Sequence, residues 1–214
     1  FFKGNPTNAQ SAAFNDSSWR DITLPHDFSI EEEFSASYEA ESGFLPGGTG
    51  WYRKTFTLPS DAEGKSIVLD FDGVYNDATV YVNGTQVASH VYGYTSFGCD
   101  ISDELKYDGT ENVIAVKVVH QFPSSRWYSG SGIYRNVYLT ITDAVHVDYN
   151  GTKVTTPNLE SQKNGNVTVN IDTKVLNERK INVTINLKIY FNFFHIFQFN
   201  EILHLFICFV KSSN

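Results

Sequence analysis

Residues 78–88 read ATVYVNGTQVA, two runs of β-branched and aromatic residues that meet at Asn83-Gly84. Both turn residues tolerate the positive φ angles that tight hairpin turns require, so an Asn-Gly pair between two such runs is a strong hairpin signal. The stretch therefore predicts two antiparallel strands, 78–82 and 85–88, joined by a two-residue turn.

Short runs of the same kind lie on both sides of this hairpin. They are residues 51–58, 67–71, 112–120 and 137–141. In 67–71, Ile67, Leu69 and Phe71 fall on one face of a strand and Val68 and Asp70 on the other, which is the pattern of a strand with one buried face. No amphipathic helix is visible before residue 144, and 101–107 predicts at most a helical turn. We therefore predict an all-β fold, an antiparallel jelly-roll (galactose-binding-like) sandwich.

The two ends of this predicted jelly roll are less regular. Residues 19–25 predict a short edge strand that ends at Pro25. The chain has no methionine and opens on Phe-Phe-Lys-Gly, which is typical of the end of a strand. We therefore assign residues 1–144 to the jelly roll and expect its N-terminus to be incomplete.

The composition changes after residue 144. Residues 166–176 alternate apolar and polar side chains, which predicts a half-buried strand. We expect residues 145–189 to be the truncated start of a second β domain and residues 190–214 to be an aberrant, Phe-rich tail.

Residues 191–209 hold seven of the 17 phenylalanines, and Glu201 is their one charged residue. A membrane span needs about 20 predominantly apolar residues, and polar side chains interrupt this run, so a span is not expected. Three explanations stay open: a shifted reading frame or splicing error, a genuine divergent tail, and a membrane-associated segment. The composition favours the first.

Charge and cysteine content exclude several function classes. The net charge is −8, and there is no cluster of Lys and Arg, so a nucleic-acid partner is not expected. Cys99 and Cys208 match no metal-binding spacing. We expect neither a metal nor a cofactor.

Four phrases of the chain resemble the N-terminal part of glycoside hydrolase family 2, the family of β-galactosidases, β-glucuronidases and β-mannosidases. They are LPHDF (24–28), LPGGTGWYRKTF (45–56), FDGVYNDATVYVNG (71–84) and RWYSGSGIYRNVYL (126–139). Their order and spacing match the family over residues 1 to about 178. The LPGG form leans toward the bacterial β-galactosidases.

The resemblance implies a jelly-roll sugar-binding domain, an immunoglobulin-like sandwich and then a (β/α)8 barrel that carries both catalytic carboxylates. The sequence contains the first domain and the start of the second, so residues 145–189 are expected to open the immunoglobulin-like sandwich. We expect the barrel to lie outside these 214 residues.

Retaining glycoside hydrolysis needs two carboxyl groups about 5–5.5 Å apart. The acidic run 31–33 predicts a solvated patch, and Asp70 and Asp72 predict strand and turn positions, so the chain offers no catalytic pair. We expect the sugar-binding portion of a family 2 enzyme that hydrolyses terminal β-glycosides, β-galactosides first, and that is inactive without its barrel. Its partners would be a β-linked sugar and that barrel. The alternatives are a free-standing carbohydrate-binding module and a structural interaction domain.

Arg126 and Trp127 are the first candidates for substrate binding. A Trp ring offers a flat apolar face to a pyranose, and an Arg offers a fork of donors to hydroxyls or a carboxylate. The alternatives are a buried core aromatic for Trp127 and a surface ion pair for Arg126. Arg135 is expected to tie the loop to a neighbouring strand.

Two further segments follow from the resemblance. One is the loop that holds Tyr75, Asn76 and Asp77, which in the family reaches toward the barrel's active site. In the galactosidase-like pattern a polar residue directly follows the Gly-Val pair, whereas here Tyr75 follows it and the polar residues come one and two positions later. The alternative is a plain turn. His26 and Asp27 are expected to shape the domain and its interface with the barrel.

Overall fold

The computed structural model describes residues 1–157 and 170–176, together with the backbone of residues 186–190 and 204–208. The chain divides into two compact units, Phe1–Leu176 and Asn177–Asn214. The strands described in the first unit are β1 (Phe2–Lys3), β2 (Gly48–Phe56), β3 (Ser66–Phe71), β4 (Ala78–Val82), β5 (Thr85–His90), β6 (Phe97–Asp100), β7 (Asn112–His120), β8 (Val137–Thr142), β9 (His146–Thr155) and β10 (Asn170–Leu176). Its short 3-10 helices are Ala40–Ser42, Ser60–Ala62 and Ser102–Glu104.

Two antiparallel sheets form the sandwich. One has the order β1-β2-β7-β4-β5 and the other the order β6-β3-β8. Their inner faces share one core, in which Ile67, Leu69 and Phe71 of β3 lie among Val80 and other buried residues of the five-stranded sheet. The predicted all-β fold is confirmed, and so is the predicted buried face of β3.

The Asn-Gly hairpin forms as predicted. Asn83 has φ 51° and Gly84 has φ 92°, and Val82 pairs with Thr85 across the turn. The bounds of β7 are those predicted, and the 3-10 helix Ser102–Glu104 confirms the single helical turn expected there.

Two details of the prediction are wrong. Residues 19–25 form no strand, because Arg20 exchanges backbone hydrogen bonds with Phe1 alone, while Ile22 and Leu24 pack against the edge of the core. Strand β6 was not predicted, since its sequence FGCD lacks β-branched residues; it is held by antiparallel pairing with β3.

Strands β9 and β10 pair with each other in an antiparallel sheet of two. The strand predicted at 166–176 is described from Asn170 onward. The boundary at residue 144 and the immunoglobulin-like assignment of 145–189 stay predictions.

In the second unit, β11 (Asn186–Tyr190) and β12 (His204–Cys208) pair antiparallel. The rest of the predicted Phe-rich tail lies outside the described residues. No helix among the residues that the structure describes is long and apolar enough to cross a membrane.

Candidate functional site

The site candidates meet at one end of the sandwich, where β4 begins and β7 ends. Ala78 of β4 pairs with both Val118 of β7 and His90 of β5. The segments that adjoin these strand ends, residues 75–77, 91–94 and 121–135, therefore lie together. We call this end the ring end, and the opposite end, with Asn83-Gly84, the hairpin end.

Trp127 stands out from the ring end. Its side chain is 59% exposed, so the alternative of a buried core aromatic is wrong. The indole Nε1 donates a hydrogen bond to the Tyr94 hydroxyl at 2.8 Å, and the Trp127 carbonyl accepts one from the Ser125 hydroxyl at 2.6 Å. These bonds hold an edge of the ring in place while leaving much of its surface in solvent.

Tyr75 packs against Tyr94, the residue that holds the Trp127 indole. It is 4% exposed, and its backbone exchanges two hydrogen bonds with Gly132 at 2.8 and 2.9 Å. Its ring meets the rings of Tyr94 and His120 nearly edge to face, at centroid distances of 5.3 and 4.9 Å. Tyr75 is thus a buried residue on which Tyr94 of the ring end packs. Its predicted contact with a sugar stays a prediction.

Asn76 and Asp77 complete that segment. The Asp77 side chain is exposed, and its carbonyl accepts a hydrogen bond from the Val119 amide at 3.2 Å. Asn76 is partly buried, and its Oδ1 has no hydrogen-bond partner among the described residues. That oxygen is itself buried, so Asn76 is placed inside the domain, and its contact with a sugar stays a prediction.

The two arginines of the quoted loop differ. Arg126 is exposed and makes no hydrogen bond or ion pair within the described part of the chain, so the surface ion pair is not formed there. Arg135 lies over the Tyr134 ring at 5.2 Å, and its Nη1 donates to the Asp72 carbonyl at 3.5 Å. Arg135 thus ties its loop to the end of β3, as expected.

Asp27 fastens the loop that carries Trp127. Its Oδ1 accepts hydrogen bonds from the Ser29 and Ser131 amides at 2.9 and 2.8 Å, and its Oδ2 accepts one from the Tyr128 hydroxyl. Burial and the Asp27 carboxylate raise the pKa of Tyr128. Gly130 has φ 74°, and a Cβ there would lie 2.7 Å from Asp27 Oδ2.

His26 occupies the same seam. Its Nδ1 lies 2.8 Å from the Tyr52 hydroxyl, and its backbone amide donates to the Ile133 carbonyl at 2.8 Å. His26 and Asp27 therefore shape the domain by joining two segments about a hundred residues apart in the chain. Their predicted interface with a barrel remains a prediction.

A buried polar network beneath Asp27 escaped the prediction. His120 is 2% exposed; its Nδ1 lies 2.5 Å from the Ser131 hydroxyl and its Nε2 2.8 Å from the Ser124 hydroxyl. Ser131 continues to the Ser29 hydroxyl at 2.5 Å. Burial lowers the pKa of His120 to about 4. The available signal was position, since His120 ends an apolar strand on the same face as Val116 and Val118.

Three of the acidic residues considered for catalysis have partners elsewhere in the domain. Glu31 pairs with Arg20 at 2.5 Å and Glu32 pairs with Lys3 at 2.6 Å, while Asp70 accepts a hydrogen bond from the Tyr149 hydroxyl at 2.7 Å. Among the described residues, no group of three or more His, Cys, Asp or Glu side chains is placed to hold a metal ion. Cys99 is partly buried, which raises the pKa of its thiol to about 11.

Comparison with known proteins decides the family. Residues 40–144 match the family model described as glycosyl hydrolases family 2, sugar binding domain. A β-galactosidase of Bacteroides ovatus is 42% identical over 185 residues, which cover 85% of this chain and 21% of that protein. The chain belongs to glycoside hydrolase family 2. A β-glucuronidase of Formosa agariphila is 35% identical, over 87% of this chain and 21% of that protein.

Solved structures of family 2 glycosidases agree. A β-glycosidase from Bacteroides vulgatus matches with a TM-score of 0.76 at 36% identity, over 87% of this chain and 24% of that one. A family 2 member from Bacteroides cellulosilyticus matches with a TM-score of 0.69 at 46% identity, over 73% of this chain and 21% of that one. The family 2 resemblance is confirmed, and the chain spans about a fifth of the length of these relatives.

Proposed function

We propose that this chain is the N-terminal sugar-binding portion of a family 2 glycosidase that hydrolyses terminal β-glycosides, β-galactosides first. Its ring end would form one wall of the glycoside site, and the parent's catalytic barrel would form the others. The observation that carries the proposal is Trp127, whose ring is 59% exposed and yet fixed by a hydrogen bond to Tyr94.

The indole face suits the apolar side of a pyranose ring. Sugar rings carry C–H groups on one face, and aromatic side chains bury large apolar areas against such surfaces. Because the Trp127 edge is already held by Tyr94, little side-chain freedom remains to be lost when a sugar binds.

Polar groups beside the indole suit the hydroxyls. Arg126 directly precedes Trp127 in the chain and presents up to five N–H donors in a fixed fork. Asp77, in the segment that adjoins β4 at the ring end, is exposed, and its carboxylate oxygens can accept hydrogen bonds. A donor fork, an acceptor and a flat apolar face together match a ligand that is apolar on one side and hydroxylated at its edges.

The hydrolytic step is assigned to the barrel. Retaining hydrolysis needs an acid/base carboxyl and a nucleophilic carboxylate about 5–5.5 Å apart. At the ring end, Asp27 already accepts three hydrogen bonds that hold the loop. The jelly roll (residues 1–144) and the opening of the sandwich (145–189) would therefore supply substrate contacts and no catalysis.

A chimeric enzyme tests this proposal. Residues 1–176 of this chain replace the matching segment of the Bacteroides ovatus β-galactosidase, and the remainder of that enzyme alone is the control. We expect the chimera to hydrolyse 4-nitrophenyl β-D-galactopyranoside and the remainder to be inactive. A chimera that unfolds cooperatively on heating, and so is folded, but is no more active than the remainder contradicts the proposal.

A further inference from the structure

We propose that Tyr92, Tyr94 and Trp127 form a glycan-binding surface that holds further units of an oligosaccharide, beyond the single sugar placed beside Trp127 above. We call these three residues the ring cluster. This inference rests on the proposed function in taking the ring end as the sugar-facing end, and it adds Tyr92 and Tyr94, which lie in the loop between β5 and β6.

The ring cluster is continuous and open. Tyr92 is 57% exposed and Tyr94 39% exposed. Their ring centroids are 5.8 Å apart, with the planes inclined at 70°. Tyr94 is joined in turn to Trp127 by the 2.8 Å hydrogen bond from the indole Nε1. A ligand that lies over Trp127 and extends past Tyr94 thus meets a third aromatic side chain.

The loop beneath the ring cluster is held by its own contacts. A Cβ on Gly93 would lie 2.1 Å from Cδ2 of Tyr75, so the glycine backbone packs directly on that buried ring. The Gly93 carbonyl accepts a hydrogen bond from the Tyr134 hydroxyl at 2.7 Å. Exposed aromatic side chains on a loop fixed in this way are preorganised for a ligand, which lowers the entropy lost on binding.

The chemistry of the cluster favours a carbohydrate over a protein. Aromatic side chains with polar tips combine an apolar face with hydrogen-bonding groups, and Tyr92 and Tyr94 bring two hydroxyls to the cluster. The domain that carries them matches the family's sugar binding model. A longer glycan can contact several rings at once, and its affinity then rises with the number of rings engaged.

The test compares ligands of different length on the full 214-residue chain. Calorimetry measures its affinity for methyl β-D-galactopyranoside and for two tetrasaccharides, β-1,4-galactotetraose and cellotetraose. We expect one tetrasaccharide to bind about tenfold more tightly than the monosaccharide or better, because each added aromatic contact contributes about fivefold to tenfold.

Variants locate the extra binding energy. Tyr92→Ala is expected to weaken tetrasaccharide binding about fivefold and to leave the monosaccharide unaffected, while Tyr92→Phe keeps the ring and the affinity. Tyr138→Ala is the matched control, because Tyr138 is 49% exposed and lies on β8, outside the ring cluster. It should change neither affinity.

Three results would overturn the inference. They are no binding of either tetrasaccharide, equal affinity for short and long ligands, and the same effect from Tyr92→Ala as from Tyr138→Ala. After any of them, contact with another polypeptide segment would explain the exposed rings better than contact with a glycan. The chimera of the preceding section hydrolyses a single-sugar glycoside, so it can succeed where the tetrasaccharide fails, and the two proposals fail separately.

Discussion

Each end of the β4–β7 pair contains a buried, hydrogen-bonded polar side chain, but the two ends expose different surfaces. At the hairpin end, a buried Asn112 closes the turn; at the ring end, a buried His120 lies beneath a loop. Both residues are nearly inaccessible and hydrogen-bonded through both side-chain polar atoms. Trp127, however, lies above the second network and is 59% exposed. The two ends therefore share a buried polar network and differ in the fixed, exposed rings, on which the proposed sugar site rests.

The hairpin end uses its network to complete the fold. Asn112 Oδ1 accepts hydrogen bonds from the Asn83 side chain and the Lys106 amide, both at 2.8 Å, and its Nδ2 donates to the Lys106 carbonyl at 3.0 Å. Asn83 Oδ1 accepts from the Val113 amide at 3.0 Å. These bonds satisfy backbone groups that the sheets leave unpaired, so the network stabilises this end of the fold.

The largest effect is expected from Asn112→Ala at the hairpin end. The Lys106 amide, the Lys106 carbonyl and the Asn83 side-chain amide would lose their partners at a partly buried position. At the lower end of about 1–3 kcal/mol for each of these three groups, the free energy of unfolding should fall by about 4 kcal/mol. Urea denaturation measures it, with the exposed Asn136→Ala as control. A loss below about 1 kcal/mol, or altered glycan binding, would break the contrast between the ends.

The next largest effect is expected at the ring end, where His120 should make the free energy of unfolding depend on pH. The pKa of His120 is lowered from 6.5 to about 4, so the unfolded chain binds a proton in this range more readily than the folded one. Stability present above pH 6.5 is therefore lost as the pH falls toward 4, by about 3 kcal/mol from this residue. Urea denaturation of the chain and of His120→Gln, at pH values from 4 to 7, isolates the contribution. Identical pH slopes for the two proteins would refute it.

Glycine substitutions at the two ends should have intermediate effects on the free energy of unfolding. Gly93→Ala at the ring end forces a methyl group against the buried Tyr75 ring, and overpacking of this kind costs about 2 kcal/mol. Gly84→Ala at the hairpin end meets its nearest atom at 3.8 Å and is strained by its φ of 92°, which costs about 1 kcal/mol. Thermal unfolding and tetrasaccharide titration should find that Gly93→Ala alone weakens binding. Equal binding by both variants would count against the ring cluster.

The smallest stability change is expected from Arg126→Ala, because Arg126 has no partner among the described residues. Unfolding should shift by less than about 0.5 kcal/mol. In the chimera, KM for 4-nitrophenyl β-D-galactopyranoside should rise about tenfold, since charge-assisted hydrogen bonds to the sugar hydroxyls are lost. The KM of Arg126→Lys should lie between those of the parent chimera and Arg126→Ala. An unchanged KM in Arg126→Ala would remove Arg126 from sugar binding.

The strands were predictable where local sequence determines them. The Asn83-Gly84 turn and the bounds of β7 follow from turn chemistry and from apolar runs within a few residues. Strand β6 was missed because its sequence has little strand preference and its structure depends on pairing with β3. The family phrases supplied candidate residues in segments that the fold brings together at the ring end, and their contact with a sugar stays a prediction.

The candidate site was predictable only in part, because its contacts join distant segments. Trp127 could be named from its loop, but its ring is held by a hydrogen bond to Tyr94, which is 33 residues away in the chain. The bond between Ser29 and Ser131 spans 102 residues, and no local pattern announces such a bond. Tyr92 and Tyr94 carried no signal of their own until the fold placed them beside Trp127.

The most direct test of the account is the kinetic effect of Trp127→Ala in the chimera with the Bacteroides ovatus β-galactosidase, with Tyr138→Ala alongside. If the ring end is one wall of the glycoside site, Trp127→Ala should lower kcat/KM for 4-nitrophenyl β-D-galactopyranoside by about tenfold or more, with unfolding temperature unchanged. Tyr138→Ala should have no effect. Equal kcat/KM for both variants and the parent chimera would contradict the account, because the exposed indole would then take no part in holding the sugar.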